Sequence, residues 1–570
     1  MNGSNGPRLR PIGRQSTRAL AIFGGACALA APRRQLAQTP AAPPATAEQS
    51  RIWNALATIG SPAEERARVA QLLGDTTAAG FLIRTPTMLV PLRATATDAG
   101  PRLWVVAPEA VVTTNSSLPA SANDGALWAG RGVSALVHGG FAARAGRVTL
   151  VLVPELTYAQ NLPFQTIQSA LSGQTPATGP FQAPWFTGPY SVDLPLRFGD
   201  QPYALVALGQ SSLTLDLGPA AVGLSSENQW WGPGARNALL ISNAAEGFPH
   251  AFVRTTRPLH TQLGDVEARA ILGALTPSLY FTPPFAGSAA GRTLSGAVAT
   301  LRPAAAPALT VGVERLVLTP VRTRGAVLGH AADFLYRNAN LGTGDSLHIP
   351  RSSDQLTGAF ARYLVPQVGT EVYGELARSE LPRTLRDLLL TPLNTGAYRL
   401  GLAHASRVQR TGSLVFRAEF TNLEQTRNYT DRPPPPDYYT GRAAPAGFTN
   451  RGQVLGAAIG PGSQSQFVGA DYYAPRWQLG AFVERVRNQN DALYRQVGPN
   501  IARHDVTLAG GLRGGVRLPY VDARADLTAG NRLNYLFQNG YANLFTLGTV
   551  DVSNVGLTVS LSPRLPHRSP

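Results

Sequence analysis

The sequence is poor in charge, in cysteine and in long apolar runs, and it has no lysine at all. Charged residues make up only 15% of its 570 residues, against roughly 25% in ordinary soluble domains. Hydrophobic residues make up 44%, which excludes a disordered chain. No stretch reaches the roughly 20 consecutive apolar residues that a membrane helix needs. The sole cysteine, Cys27, lies near the N-terminus. A chain cut after it holds neither a disulfide nor a thiolate nucleophile. All 50 basic residues are arginine, set against 34 acids for a net charge of +16. Six of them (Arg8, Arg10, Arg14, Arg18, Arg33, Arg34) precede the first acid, Glu48, which leaves 16 − 6 = +10 for the rest. Those are spread evenly with no nucleic-acid fold signature beside them, so no nucleic-acid partner is expected. The 58 glycines and 46 prolines follow no Gly-X-Y period, which excludes collagen and points to many turns.

The N-terminus reads as an export signal. A basic stretch, Arg8 to Arg18, leads into thirteen apolar residues, Ala19 to Ala31, the length of a signal-peptide core. Ala28-Leu29-Ala30 resembles a cleavage site, with Ala37 a later alternative. We assign 1–37 to the signal peptide and 38–50 to a Pro/Ala linker. Residues 51–90 are expected to form a periplasmic helical hairpin: Arg51 to Gly60, then Pro62 to Leu73. Ser61 suits the second N-cap, Pro62 its first turn, Glu64 a capping box and Gly74 its end.

From Leu103 onward the period is two. Leu414, Phe416, Ala418 and Phe420 alternate with Val415, Arg417, Glu419 and Thr421. Val521, Ala523, Ala525 and Leu527 alternate with Asp522, Arg524, Asp526 and Thr528, and Val555, Leu557, Val559 and Leu561 repeat the pattern. A soluble sandwich gives such alternation too. An export signal without a membrane helix, and strand-like runs of about 8 to 12 residues, favour an all-β transmembrane barrel. At roughly 25 residues per strand and turn, residues 100–562 supply 16 to 20 strands; 563–570 form a tail.

Glu227-Asn-Gln-Trp-Trp-Gly-Pro-Gly234 is the densest motif. Trp230 and Trp231 with Arg236 and Asn243 supply the aromatic faces and polar groups that sugars require; a packed turn plugging a lumen is the other reading. In Arg427 to Asn450, four prolines (Pro433 to Pro436) predict a stiff exposed loop. Its Tyr438 and Tyr439 either contact glycan or form a structural lid. Gly344-Asp-Ser346-Leu347 spells the start of a GDSL-type hydrolase but lacks a histidine partner motif, so no catalytic residue, metal site or cofactor is assigned.

The stretch from Glu227 through Pro258 resembles the central signature of the Wzi family of capsule-assembly outer-membrane proteins. Asp354 to Gly358, Glu371 to Glu375, Asn422 to Glu424, Thr449 to Gly456 and Gly460 to Ser463 resemble that family too, in family order, so that the likeness runs from about Pro195 to Leu561. The resemblance implies an 18-stranded outer-membrane barrel with helical elements at its periplasmic end. It also implies a non-enzymatic role in attaching or organising capsular polysaccharide, beside a polysaccharide export system and outer-membrane lipid. The rival expectation is a diffusion channel lined by Arg417, Glu419, Asp522 and Arg524.

Overall fold

The computed structural model describes residues 58–76, 80–89, 102–166, 181–283, 291–336, 352–382, 384–390, 392, 394–408, 411–425, 437–497, 503–537 and 550–564. Its frame is a closed barrel of 18 antiparallel strands. Each strand pairs with the next in sequence. The first, Arg102–Asn115, closes the ring against the last, Val552–Pro563, with Ala110 opposite Leu561 and Asn115 opposite Gly556.

Three strands are interrupted at proline, which cannot donate to a ladder. Register shifts around Pro108, between Val106 and Glu109. Pro154 separates Val148–Leu152 from Glu155–Ala159, and Pro258 separates His250–Thr255 from Leu259–Thr261. Each pair of segments, like Tyr203–Ala207 and Ser212–Asp216 across a break without proline, runs along common neighbours and counts as one bent strand.

The two ends differ. Short turns follow Ala145, Asp216, Thr261, Pro303, Val365, Val408, Tyr473 and Arg517, at the end where the barrel's first strand begins and its last strand finishes. The long connections lie at the other end. In outer-membrane barrels short turns face the periplasm and long loops face outward.

The period-two pattern sorts the side chains. Leu414, Phe416, Leu512, Leu527 and Leu557 are exposed on the outer wall, while Val415, Glu419 and Thr421 are buried inside. The lumen is not simply wet. Inward-facing Ile271, Leu294, Val298, Leu316, Leu318, Leu356 and Phe360 share a core with Leu82, Ile83, Trp231, Leu239, Leu240, Phe248, Tyr438, Tyr439 and Phe448. Residues 226–249 and 437–463, both long connections, therefore fold inward and fill it.

The helix α1 (Pro62–Leu72) is the second arm of the expected hairpin; residues 51–57 of the first arm lie outside the described residues. Ser61 Oγ accepts from the Glu64 N–H at 3.4 Å, and Gly74, at φ +75°, ends it as a left-handed glycine does. Arg68 on α1 pairs with Glu371 and Gln71 accepts from Arg362. Both partners lie near the short turn after Val365, so α1 enters the lumen at the short-turn end.

Leu512, 57% exposed in the middle of Val506–Arg517, belongs to the lipid-facing wall. A charge there meets hydrocarbon, so Leu512→Arg is expected to cost about 2–4 kcal/mol. Reversible denaturant unfolding from phospholipid vesicles reads this directly, and a cost near zero would place that wall in water.

Candidate functional site

The Trp-Trp-Gly-Pro-Gly turn sits at the centre of the filled lumen. Trp230 and Trp231 form a two-stranded ribbon with Arg84 and Ile83, so the N-terminal segment and this long connection meet inside the barrel. Both indoles are buried, at 2% and 0% exposure, and the Arg84 guanidinium lies 4.6 Å from the Trp230 ring.

The turn is gripped through its backbone. Arg68 donates to the Pro233 carbonyl at 2.9 Å and the Gly234 carbonyl at 3.2 Å; Arg84 donates to Gly234 at 2.7 Å and to Glu64 at 2.6 Å. From the wall, Glu419 accepts the N–H groups of Ala235, Arg236 and Asn237 at 2.8–3.1 Å, and Glu375 accepts that of Leu239 at 2.9 Å. Arg399, wholly buried, donates to Glu375 and to the Asn237 carbonyl. Only glycine fits at 234, because a Cβ would lie 1.1 Å from the Arg399 guanidinium.

The second inward loop is built the same way. Asp354 accepts the N–H groups of Arg442, Ala443 and Ala444. Tyr439 Oη donates to the Leu239 carbonyl and accepts from the Ala457 N–H, both at 2.7 Å, so it ties the two inward connections together. Tyr438 meets it edge-on at 4.7 Å.

The expected sugar-contact residues therefore occupy different surroundings. Tyr438 and Tyr439, expected in an exposed loop, are instead fully buried, because their rings complete the lumen core. Trp230 and Trp231 likewise turn no face outward. Arg236, with 32% of its side chain exposed, pairs with Glu484 at 2.6 Å. Asn243 donates to the Asn123 carbonyl at 2.8 Å. It also lines a cavity of about 170 Å³ with Asp124, Glu155, Gln210 and Asn228. Nothing in this arrangement gathers the six residues on one open surface. Pro433 to Pro436 and the Gly344 to Leu347 motif with Ser346 lie outside the described residues.

Sequence reading missed the residues that hold the loops: Arg68, Arg84, Glu375 and Arg399. For Glu375 and Arg399 the signal was present as charge on the inward face of period-two strands, whereas Arg68 stands on α1 and Arg84 in the short ribbon, and the backbone atoms all four reach are remote in sequence. No group of His, Cys, Asp or Glu suited to a metal occurs among the described residues.

Burial acts differently on two acids of the filling. It raises the Glu64 carboxyl, but the Arg84 and Arg68 charges outweigh it and leave the group below its ordinary value. Burial pushes Glu246 up to about 7, against the pull of Arg451, 2.8 Å away. A carboxyl raised in the folded state binds its proton more tightly than in the unfolded chain. Its stabilising contribution is thus full below pH 4.5 and is lost as pH rises towards 7. Thermal unfolding in detergent across pH 4–8 is expected to show wild type losing stability relative to Glu246→Gln over that window. A difference independent of pH would contradict it.

Comparisons with known proteins place this architecture. The sequence matches the family described as Capsule assembly protein Wzi over residues 119–518. No curated protein matches the sequence. Among solved structures, the chain is similar to Escherichia coli Wzi, described as an outer membrane protein involved in group 1 capsule assembly and a carbohydrate-binding β-barrel. That likeness has a TM-score of 0.53 at 12% identity, and covers 91% of this chain and 96% of that one. Pseudomonas aeruginosa OccK2 with glucuronate (TM-score 0.36, 8% identity, 80% and 98% covered) and a BenF-like porin from Pseudomonas fluorescens (0.36, 7%, 81% and 98%) are more distant. The family match spans most of the barrel and contains both inward loops with their anchoring acids, and the chain belongs to the Wzi family of capsule-assembly outer-membrane proteins.

Proposed function

We propose that this protein is a closed outer-membrane platform that binds polysaccharide at the cell surface during capsule assembly and performs no catalysis. The observation that carries this reading is the filled lumen: two long connections and the N-terminal segment occupy it, locked by paired buried charges. Carbohydrate binding by the similar E. coli barrel supports the ligand class. A signal peptide over 1–37, removed on export, and a linker over 38–50 belong to the same proposal, as do outer-membrane lipid and a polysaccharide export system as partners.

The channel reading drew on Arg417, Glu419, Asp522 and Arg524. Glu419 grips the central turn, Arg417 pairs with Asp471 at 2.8 Å, Arg524 with Asp526 at 3.0 Å, and Asp522 with Arg564 at 3.5 Å. Charges so engaged line the wall of a filled barrel better than that of an open one. Purified protein in planar bilayers is expected to give no steady conductance, and Glu419→Ala, which strips an acceptor from three N–H groups, is expected to produce flickering openings. A large steady current from wild type would favour the channel.

In this proposal Trp230, Trp231, Tyr438 and Tyr439 are framework, and glycan contact falls to groups displayed beside Arg236 and Asn243 and at the long-loop end. Trp231→Ala is expected to cost about 3–5 kcal/mol, as large core truncations do, while polysaccharide retained per folded molecule stays unchanged. Melting temperature and cell-attached polysaccharide are measured together. Lost polysaccharide at an unchanged melting temperature would return Trp231 to the binding surface.

A further inference from the structure

One sector of the outer wall departs from the lipid-facing pattern. On the strand Leu309–Val321, Leu316 and Leu318 point inward to the lumen core, so Val311, Val313, Arg315, Val317, Thr319 and Val321 point outward. Val313 is 62% exposed, as befits a lipid-facing side chain. Beyond it the wall turns polar yet is covered: outward-facing Thr293, Ser295 and Thr319 are at most 3% exposed. The cover is the connection 322–336, which folds down over the outside of the barrel. Arg315 donates to the Phe334 carbonyl at 3.0 Å and to Gln355 at 2.7 Å, and Thr319 donates to Asp333 at 3.1 Å.

The neighbouring connection repeats the device. Arg378 ends the strand Thr370–Arg378 on the outward face, two residues beyond exposed Leu376. It donates to the carbonyls of Pro392 at 2.7 Å and Glu380 at 3.1 Å. Both connections turn backbone carbonyls to the wall, the first with Asp333 as well, and turn leucines away from it, while Arg322 and Arg386 stay exposed. Leu328 and Leu335 are 77% and 71% exposed, and Leu385 and Leu389 are 70% and 72% exposed.

Depth decides what those leucines meet. A tilted strand rises about 3.4 Å per residue along itself, so the bare apolar wall from Leu309 to Val313 spans only roughly 10 Å of the bilayer normal. An outer-membrane barrel needs an apolar band about 25 Å tall. Bare wall alone leaves this sector short, with an arginine just above Val313. We propose that the connection 322–336 is a strap embedded in the outer leaflet, whose Leu328 and Leu335 complete the lipid-facing band while its backbone and Asp333 neutralise the polar wall beneath. The occupant of this surface is lipid acyl chain, because the leucines continue the band formed by Val311, Val313, Leu376 and Leu400. The described residues 384–390, with exposed Leu385 and Leu389, extend the same surface.

The test uses full-length protein reconstituted in phospholipid vesicles. On a Cys27→Ser background, Leu328→Cys and Leu335→Cys are each labelled with an environment-sensitive fluorophore. Leu400→Cys on the bare wall and Leu279→Cys, at a site 93% exposed beyond the strand Gly264–Leu275, serve as lipid and water references. Acyl-chain spin-labelled lipid is expected to quench both strap positions as strongly as Leu400→Cys, with iodide several-fold less effective than at Leu279→Cys. Iodide quenching equal to that at Leu279→Cys would put the strap in water and overturn the proposal. Protection from both quenchers, with disulfide cross-linking between copies at Leu328→Cys, would assign the surface to a second copy and overturn it as well. None of these outcomes depends on polysaccharide binding, so the strap and the glycan proposal fail separately.

Discussion

The grip of buried charges on one turn of backbone is the interaction on which the remaining structure depends. Arg399 lies fully inside the barrel with Glu375, and the pair reaches the Gly232-Pro-Gly234 turn together with Glu419, Arg68 and Arg84. A buried guanidinium is costly to desolvate, and partners in good geometry only roughly offset that cost. Such a network adds little net stability, but it penalises every arrangement that leaves one member unpaired. The turn therefore has one place to sit, and the long connection that carries it is held inside rather than above the barrel.

Once that turn is placed, the apolar residues around it acquire a core. Leu239, Leu240, Ile241 and Phe248 pack against the inner wall formed by Leu294, Leu316, Leu356 and Phe360. The loop 437–463 closes over them, and Tyr439 ties it to the Leu239 carbonyl. An 18-stranded ring encloses more space than wall side chains can fill, since interiors of that size otherwise hold water. Here segments of the same chain fill it. The filling arrives from both ends, with α1 at the short turns and the two connections from the long-loop side, and meets at the ribbon of Ile83–Arg84 with Trp230–Trp231. On the proposed reading, a lumen occupied by segments of the same chain leaves the outer surface as the part available to a polymer.

The same economy of polar groups governs the outside. Outward-facing Arg315 and Arg378 are covered by the connections that follow their strands, which supply carbonyl acceptors to the wall and turn leucines outward. Inside and outside thus obey one rule: where the period-two pattern puts a charge on a face that cannot solvate it, a connection folds over to satisfy it.

Alternation marked the strands, and run length with the export signal pointed them to a barrel. Val555, Leu557, Val559 and Leu561 declare an outward face because neighbouring side chains on a strand point opposite ways, and eight-to-twelve-residue runs without a helix-length apolar segment match a tilted crossing. The cap at Ser61 and the stop at Gly74 were equally legible, since capping is settled within one turn of helix. The family signature from Glu227 to Pro258 was local in the same sense. What the sequence could not show was where Trp230, Trp231, Tyr438 and Tyr439 lie. An aromatic beside amides looks alike in a sugar site and in a core, and proline-rich flanks suggested exposure. Their burial depends on Arg68, Glu375, Arg399 and Glu419, which stand far away along the chain and converge only when the ring closes. Strand periodicity specifies which face a residue occupies; what lies across the lumen from that face is decided by closure, because only the tertiary structure brings the partners within hydrogen-bonding distance.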